Sequence, residues 1–210
     1  QKLLEDHGVK VNLDLPGVGE NLQDHLQVRS VYKVKNTVTL NQRANSLAGK
    51  ALMGLEYFLF KTGPLTMPPS QLGAFAKSDP SQSSANIEWH VQPLSLEKFG
   101  DPLHTFNAIT PSVCNLRPSS RGHVRIKSSN WHEYPSITMN YLSTEDDQQV
   151  AIDGLRFTRR IMAAKALSRF EPEEWKPGPD FVHDEQLLQA AGDLGTTIFH
   201  PVGTCKMGKD

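Results

Sequence analysis

Between residues 72 and 127 the chain offers four short apolar runs and no helical pattern, and this constrains the fold more than any other feature. The runs cover residues 72–77, 86–92, 106–114 and 123–127. Each is rich in β-branched or aromatic residues and is bounded by Pro, Gly, Ser or Asn, which is how strands are punctuated. In the second run Ile87, Trp89 and Val91 fall on one face of a strand, and Glu88 and His90 on the other. Strands that follow one another without helices between them favour an antiparallel sheet. The expected class is therefore α+β, an antiparallel β-sheet flanked by helices.

The flanking segments supply the helices. Residues 1–8 read as a helix end, with Gly8 as the residue that takes the left-handed conformation after it. Residues 9–13 read as a short strand, and residues 26–34 as a second one. Residues 46–62 carry the clearest helical pattern: Ser46 caps it, Leu47, Ala51, Leu55, Phe58 and Leu59 share a face, and Gly63-Pro64 stops it. Ser143 and Asp146 resemble a capping box for a helix in which Val150, Gly154, Phe157 and Ile161 recur at helical spacing. Residues 172–179 read as a proline-rich surface segment, and a last helix runs from Asp184 to Gly192 or Gly195.

Composition narrows the function classes. With 38% hydrophobic and 21% charged residues, the 210-residue chain can build a packed core. A formal net charge of −1, without a basic stripe, argues against nucleic acid or an anionic membrane as partner. No apolar run reaches the length of a membrane span, and no signal peptide is visible, although the chain opens on Gln1. Two distant cysteines, Cys114 and Cys205, define no disulfide framework, and unpaired thiols fit a reducing, cytoplasmic compartment.

Few motifs carry chemistry by themselves. LPGVGENLQDH, residues 15–25, places Gly17 and Gly19 after the expected strand, but a dinucleotide loop needs a third glycine where Leu22 stands and a helix directly behind it. On spacing alone it is a tight turn. The eight histidines are scattered; His132-Glu133 leads into Tyr134-Pro135 rather than a zinc-binding helix, and His90, His104 and His123 sit on strands or their ends, so no metal site is expected. No Gly-x-Ser-x-Gly elbow occurs, which disfavours a serine hydrolase. Near the end, TTIFHPVGTCKMG sets His200 before Pro201, which pushes it toward extended backbone. An unperturbed histidine titrates at about 6.5 and suits a general base, but such a histidine taken alone is more often structural.

Taken together, LPGVGENLQDHL, NIEWHVQP, SSRGHVRIKSSN, YPSITMNYLS and FHPVGTCKMG, in this order, resemble the glucose–methanol–choline (GMC) flavoprotein oxidoreductases. The resemblance runs along essentially the whole chain. It implies an internal fragment of such an enzyme, mostly its substrate domain, an antiparallel sheet flanked by helices. Residues 1–25 would be the end of the FAD-binding domain and the return segment. Residues 26–195 would be the substrate-binding domain, and 196–210 the return that carries the active-site histidine. The family's phosphate loop would lie far upstream of Gln1, and a second catalytic His or Asn beyond Asp210.

The implied reaction is oxidation of an alcohol: hydride passes from the carbinol carbon to N5 of FAD, and the hydroxyl proton goes to a base. By its place in HPVGT, His200 would be that base or the group stabilising the alkoxide. Ile198 and Phe199 would wall the pocket, and Asn21, Gln23, Asp24 and His25 would lie near the flavin. Gln71 falls where choline-oxidising members place a glutamate; a neutral amide there favours an uncharged primary alcohol. His90 and Asn115 are further candidates for the substrate pocket. The electron acceptor, oxygen or another, does not follow from the resemblance. The alternatives are a lyase on the same scaffold or a stand-alone, non-catalytic module.

Overall fold

The computed structural model describes residues 1–208. Five α-helices and nine β-strands alternate with two short 3-10 segments, Pro64–Thr66 and Lys165–Phe170. The helices are α1 (Lys2–Asp6), α2 (Leu40–Asn45), α3 (Leu47–Phe60), α4 (Glu145–Met162) and α5 (Asp184–Leu194). The strands are β1 (Leu26–Arg29), β2 (Val31–Lys33), β3 (Leu72–Ala76), β4 (Ile87–Gln92), β5 (Ala108–Asn115), β6 (His123–Arg125), β7 (Ser136–Thr138), β8 (Glu173–Lys176) and β9 (Gly195–Thr197). No helix among the described residues is long and apolar enough to cross a membrane. The chain divides into two compact units, one built from residues 1–26, 117–149 and 197 onward, the other from residues 27–116 and 150–196.

The second unit holds the sheet expected from the sequence. Its strand order is β3-β4-β5-β1-β9, with β2 beside β5 and β8, and the pairs β3/β4, β4/β5 and β1/β5 are all antiparallel. One sheet face meets helices. Ile87 and Trp89 of β4 and Val113 of β5 are almost fully buried, as are Leu155 of α4 and Leu187, Ala190 and Ala191 of α5. The Trp89 indole N–H donates to Thr158 Oγ1 at 2.8 Å, and the Thr158 hydroxyl donates back to the Gly154 carbonyl at 2.8 Å. Gly154 is where α4 lies closest to the sheet, because a Cβ there would sit 3.1 Å from a Val113 methyl. Away from this layer the fully buried Asn41 amide closes a loop, donating to the Ser95 hydroxyl at 2.9 Å and accepting the Ser95 N–H at 2.8 Å.

The first unit is built on close backbone approaches. A hairpin of β6 and β7 is flanked by single bridges from Leu22 to Gly122 and from Gln23 to Val202. Helix α1 ends as expected at Gly8 (φ +70°): the Gly8 N–H reaches the Glu5 carbonyl and the Val9 N–H the Leu4 carbonyl, both at 2.9 Å.

Several sequence expectations are corrected. Residues 9–13 form no strand; Val9 closes the α1 terminus instead, and Leu13 is exposed. Residues 26–34 are divided between β1 and β2. The common register places Ser30 opposite Pro111, which has no N–H to give the ladder. The stripe on α3 is real but faces outward: Leu47, Leu55, Phe58 and Leu59 are exposed, and only Met53 of that helix is buried. The α4 cap lies one residue later than expected. Thr144 Oγ1 accepts the Asp147 N–H at 3.3 Å, while the Asp147 carboxylate turns to the Ser119 and Ser120 amides at 2.9 Å. Residues 173–176 are a strand paired with β2 rather than a surface segment, their Trp175 half-buried.

Candidate functional site

Within the first unit two remote segments lie side by side. The turn LPGVGENLQDH is bonded to the HPVGT segment through Gly19 N–H to Thr204 O (2.9 Å), Gln23 N–H to Val202 O (2.9 Å) and Val202 N–H to Gln23 O (2.8 Å). The glycines explain how they come so close. Gly203 adopts φ +99°, and a Cβ there would lie 2.2 Å from the Asn21 carbonyl oxygen. A Cβ on Gly19 would lie 2.4 Å from Val124 O. Both positions demand glycine for chain packing.

Asp24 is the centre of this arrangement. It is buried, and its carboxylate accepts three hydrogen bonds: from the His200 backbone N–H at 3.0 Å, from the Thr197 hydroxyl at 2.5 Å and from the Tyr141 hydroxyl at 2.5 Å. Burial, and then the bond to Asp24 and its negative charge, push the Tyr141 phenol well above its ordinary pKa, so it stays a donor. The Phe199 N–H donates to Thr197 Oγ1 at 2.8 Å, and Phe199 itself is held at φ +65°, a conformation non-glycine residues rarely adopt. The strand end, the strained Phe199 and Asp24 together fix the backbone of His200.

The ring of His200 is exposed and meets His25. Their Nδ1 atoms are 3.2 Å apart, with ring centroids at 5.4 Å and an interplanar angle of 74°. One Nδ1 must donate and the other accept. When His200 is the donor, its Nε2 carries a lone pair facing outward, which is a proton acceptor. A cavity of about 650 Å³ opens in the same unit, lined by Leu22, Ile137, Met139, Tyr141 and Val202 and by Phe199 and Pro201, the chain neighbours of His200; neither histidine ring lines it. Its walls are apolar, with Asp24 and Thr197 as polar points, the composition of a small-molecule pocket.

The sequence-selected residues thus fall into two groups. Asn21, Gln23, Asp24, His25, Ile198, Phe199 and His200 belong to the first unit. Asn21 is engaged with its own chain: its amide donates to the Gly203 carbonyl at 3.3 Å and accepts from Arg121 Nε at 3.1 Å. Gln23 contributes its backbone to the bridge with Val202, and the half-buried Ile198 donates its N–H to the His25 carbonyl at 3.4 Å. Gln71, His90 and Asn115 belong to the second unit. His90 of β4 pairs with Gly73 of β3, and Gln71 lies just before β3, its N–H bonded to the Val91 carbonyl at 3.0 Å. Asn115 lies opposite Ile87 and therefore on the other face, toward the helices. Tyr141 and Thr197 were not singled out from the sequence. They lie 117 and 173 positions from Asp24, and no local pattern links them.

The chain is similar to known proteins along its whole length. Residues 118–210 match the sequence profile of the GMC oxidoreductase family. The alcohol dehydrogenase [acceptor] of Pseudomonas putida is 36% identical over 208 residues, 99% of this chain and 38% of that protein. The oxygen-dependent choline dehydrogenase of Cronobacter sakazakii is 38% identical over 209 residues, 100% of this chain and 37% of that protein. The chain thus spans less than two-fifths of the length of these relatives. Among solved structures, a variant of Aspergillus oryzae formate oxidase, studied for the modification of its FAD, superposes with a TM-score of 0.85 at 20% identity, over 98% of this chain and 40% of that one. Residues 118–210 thus match the GMC oxidoreductase family, and the chain along its whole length is similar in sequence to an alcohol dehydrogenase and a choline dehydrogenase.

Proposed function

We propose that this chain is the substrate-domain portion of an FAD-dependent alcohol dehydrogenase or oxidase, with His200 as the group that takes the hydroxyl proton. The observation that carries this reading is the His25–His200 contact at 3.2 Å, braced by Asp24, which bonds the His200 N–H and also lines the apolar cavity.

The residues present fit a flavin's ring system better than its phosphates. The cavity is walled mainly by apolar side chains. In contrast, the amides of Gly19, Leu22 and Gln23 are bonded within the chain and leave no cradle for pyrophosphate. FAD, when bound, supplies the hydride acceptor. The chain's own part is to position and to move the proton. Asp24 holds the His200 main chain. His25 accepts from His200 Nδ1, which leaves Nε2 free to take a proton from an alcohol. His25 then shares the positive charge through the same hydrogen bond. Phe199 and Met139 line the cavity. The relatives named above act on alcohols and on choline, and an alcohol is the donor class this reading assigns here.

The test is His200→Ala in the complete flavoenzyme, with flavin reduction followed by anaerobic stopped-flow. We expect the rate to fall by a factor on the order of 10²–10⁴. A near-normal rate would remove His200 from this role.

A further inference from the structure

A second cluster of chemically active groups lies on the sheet of the second unit, on the face turned away from α4. Strand alternation sends Glu88 and His90 of β4 to that face, and the register sets Cys114 of β5 directly opposite Glu88. A carboxylate oxygen of Glu88, a ring nitrogen of His90 and Sγ of Cys114 all lie within 4.8 Å of one another. His90 Nε2 is 3.3 Å from Glu88 Oε1, yet it is shut from solvent and makes no hydrogen bond, so the two atoms are close without being aligned. That spacing is the edge of a coordination tetrahedron: nitrogen and oxygen ligands each about 2.05 Å from a zinc ion stand about 3.3–3.4 Å apart.

The surroundings point the same way. Five buried side-chain atoms among the described residues lack a hydrogen-bond partner, and three of them, Gln27 Oε1, His90 Nε2 and Ser112 Oγ, are lone-pair atoms on this sheet face; Arg29 Nη1, also on this face, is a cationic donor that no metal ion would satisfy. Gln27 sits opposite Cys114, and Ser112 opposite His90. Buried polar atoms are nearly always satisfied, and lone pairs grouped around three potential ligands are what a bound cation and its water would serve.

We propose that Glu88, His90 and Cys114 bind a borderline-soft divalent cation of the Zn²⁺ class. The donor set of thiolate, imidazole and carboxylate selects such an ion over Mg²⁺ or Ca²⁺. Cys114 binds as the thiolate, its proton leaving to solvent, and with Glu88 it balances the two positive charges. Three protein ligands leave one coordination position for water, whose hydrogens can serve acceptors such as Gln27 Oε1. The ion ties β4 to β5. The pattern escapes a linear scan because two ligands are spaced i, i+2 on one strand and the third lies 26 positions on (114 − 88), joined to them only by the register.

The experiment is Co²⁺ and Zn²⁺ uptake by the purified full chain after chelator treatment. Metal content is measured by mass spectrometry, and the sulfur-to-cobalt charge-transfer band by absorbance. We expect one ion per chain and a charge-transfer band that survives Cys205→Ser and disappears in Cys114→Ser. His90→Gln should weaken Zn²⁺ binding by more than the roughly 10–100-fold that loss of an outer-shell partner costs. Circular dichroism establishes that each variant is folded; if Cys114→Ser is not, the Cys205→Ser and His90→Gln pair decides. No stoichiometric uptake, a band that follows Cys205, or unchanged affinity in His90→Gln would overturn the site and leave Glu88 and His90 as an ion pair only.

Discussion

Two buried aspartates of the first unit show how single residues set the site. Asp24 gathers donors from three separated stretches and so fixes the main chain of His200. Asp147 does the same for the loop before β6. Burial alone would raise its pKa, but hydrogen bonds from the Ser120 side chain and from the Ser119 and Ser120 amides together hold it below the ordinary carboxylate value. A carboxyl depressed on folding adds stability above its unfolded pKa of about 3.9, and that stability is lost as pH falls through the lower folded value. Asp147→Asn should therefore cost about 1–3 kcal/mol near neutral pH. The difference from the parent protein should shrink once the pH drops below about 4. Urea unfolding at several pH values measures it, and a gap that stays constant with pH would show that the charge is not responsible. At this scale the sequence was half legible. His200, Asp24 and His25 stand in motifs that can be recognised by eye. Their joining through Tyr141 and Thr197 depends on contacts across more than a hundred positions, which no local pattern encodes.

Elements follow local rules where the chain decides alone and depart from them where a partner decides. The four strand runs between residues 72 and 127 all form, because alternation and breakers act within each run. The break between β1 and β2 needed the register, since Pro111 sits on a different strand from Ser30. The α3 stripe shows the limit most clearly: periodicity finds an apolar face but cannot say what it meets, and here Leu47, Leu55 and Phe58 meet none of the second unit's core. Helix α4 is the opposite case. Its Gly154 allows close approach, and its Thr158 satisfies the buried Trp89 N–H. Thr158→Val keeps the shape but strands that donor, so it should destabilise the protein by about 1–3 kcal/mol. Thr158→Ser keeps the hydroxyl and should cost clearly less. Comparing the two by chemical denaturation isolates the hydrogen bond, and equal losses would assign the effect to packing instead.

For the whole chain, the question left by LPGVGENLQDH is whether these 210 residues hold the cofactor themselves. A pyrophosphate needs several backbone N–H groups pointing outward, commonly at a helix start. Here the Gly19, Leu22 and Gln23 amides are bonded to Thr204, Gly122 and Val202, and Leu22 is buried where the third glycine of a dinucleotide loop would stand. The glycines serve the meeting of two chain segments, since a Cβ at Gly19 or Gly203 would collide with backbone. What remains for a flavin is the apolar cavity lined by Phe199 and Pro201, which offers ring contacts without a charge clamp. Most of a dinucleotide's specific binding comes from its phosphates and ribose, so ring contacts alone are a poor anchor. The 210-residue chain should accordingly show no stoichiometric FAD binding in equilibrium dialysis, and the purified polypeptide should be colourless. Tight one-to-one binding would mean that phosphate contacts exist on surfaces other than this turn, and it would move the search for them to the second unit.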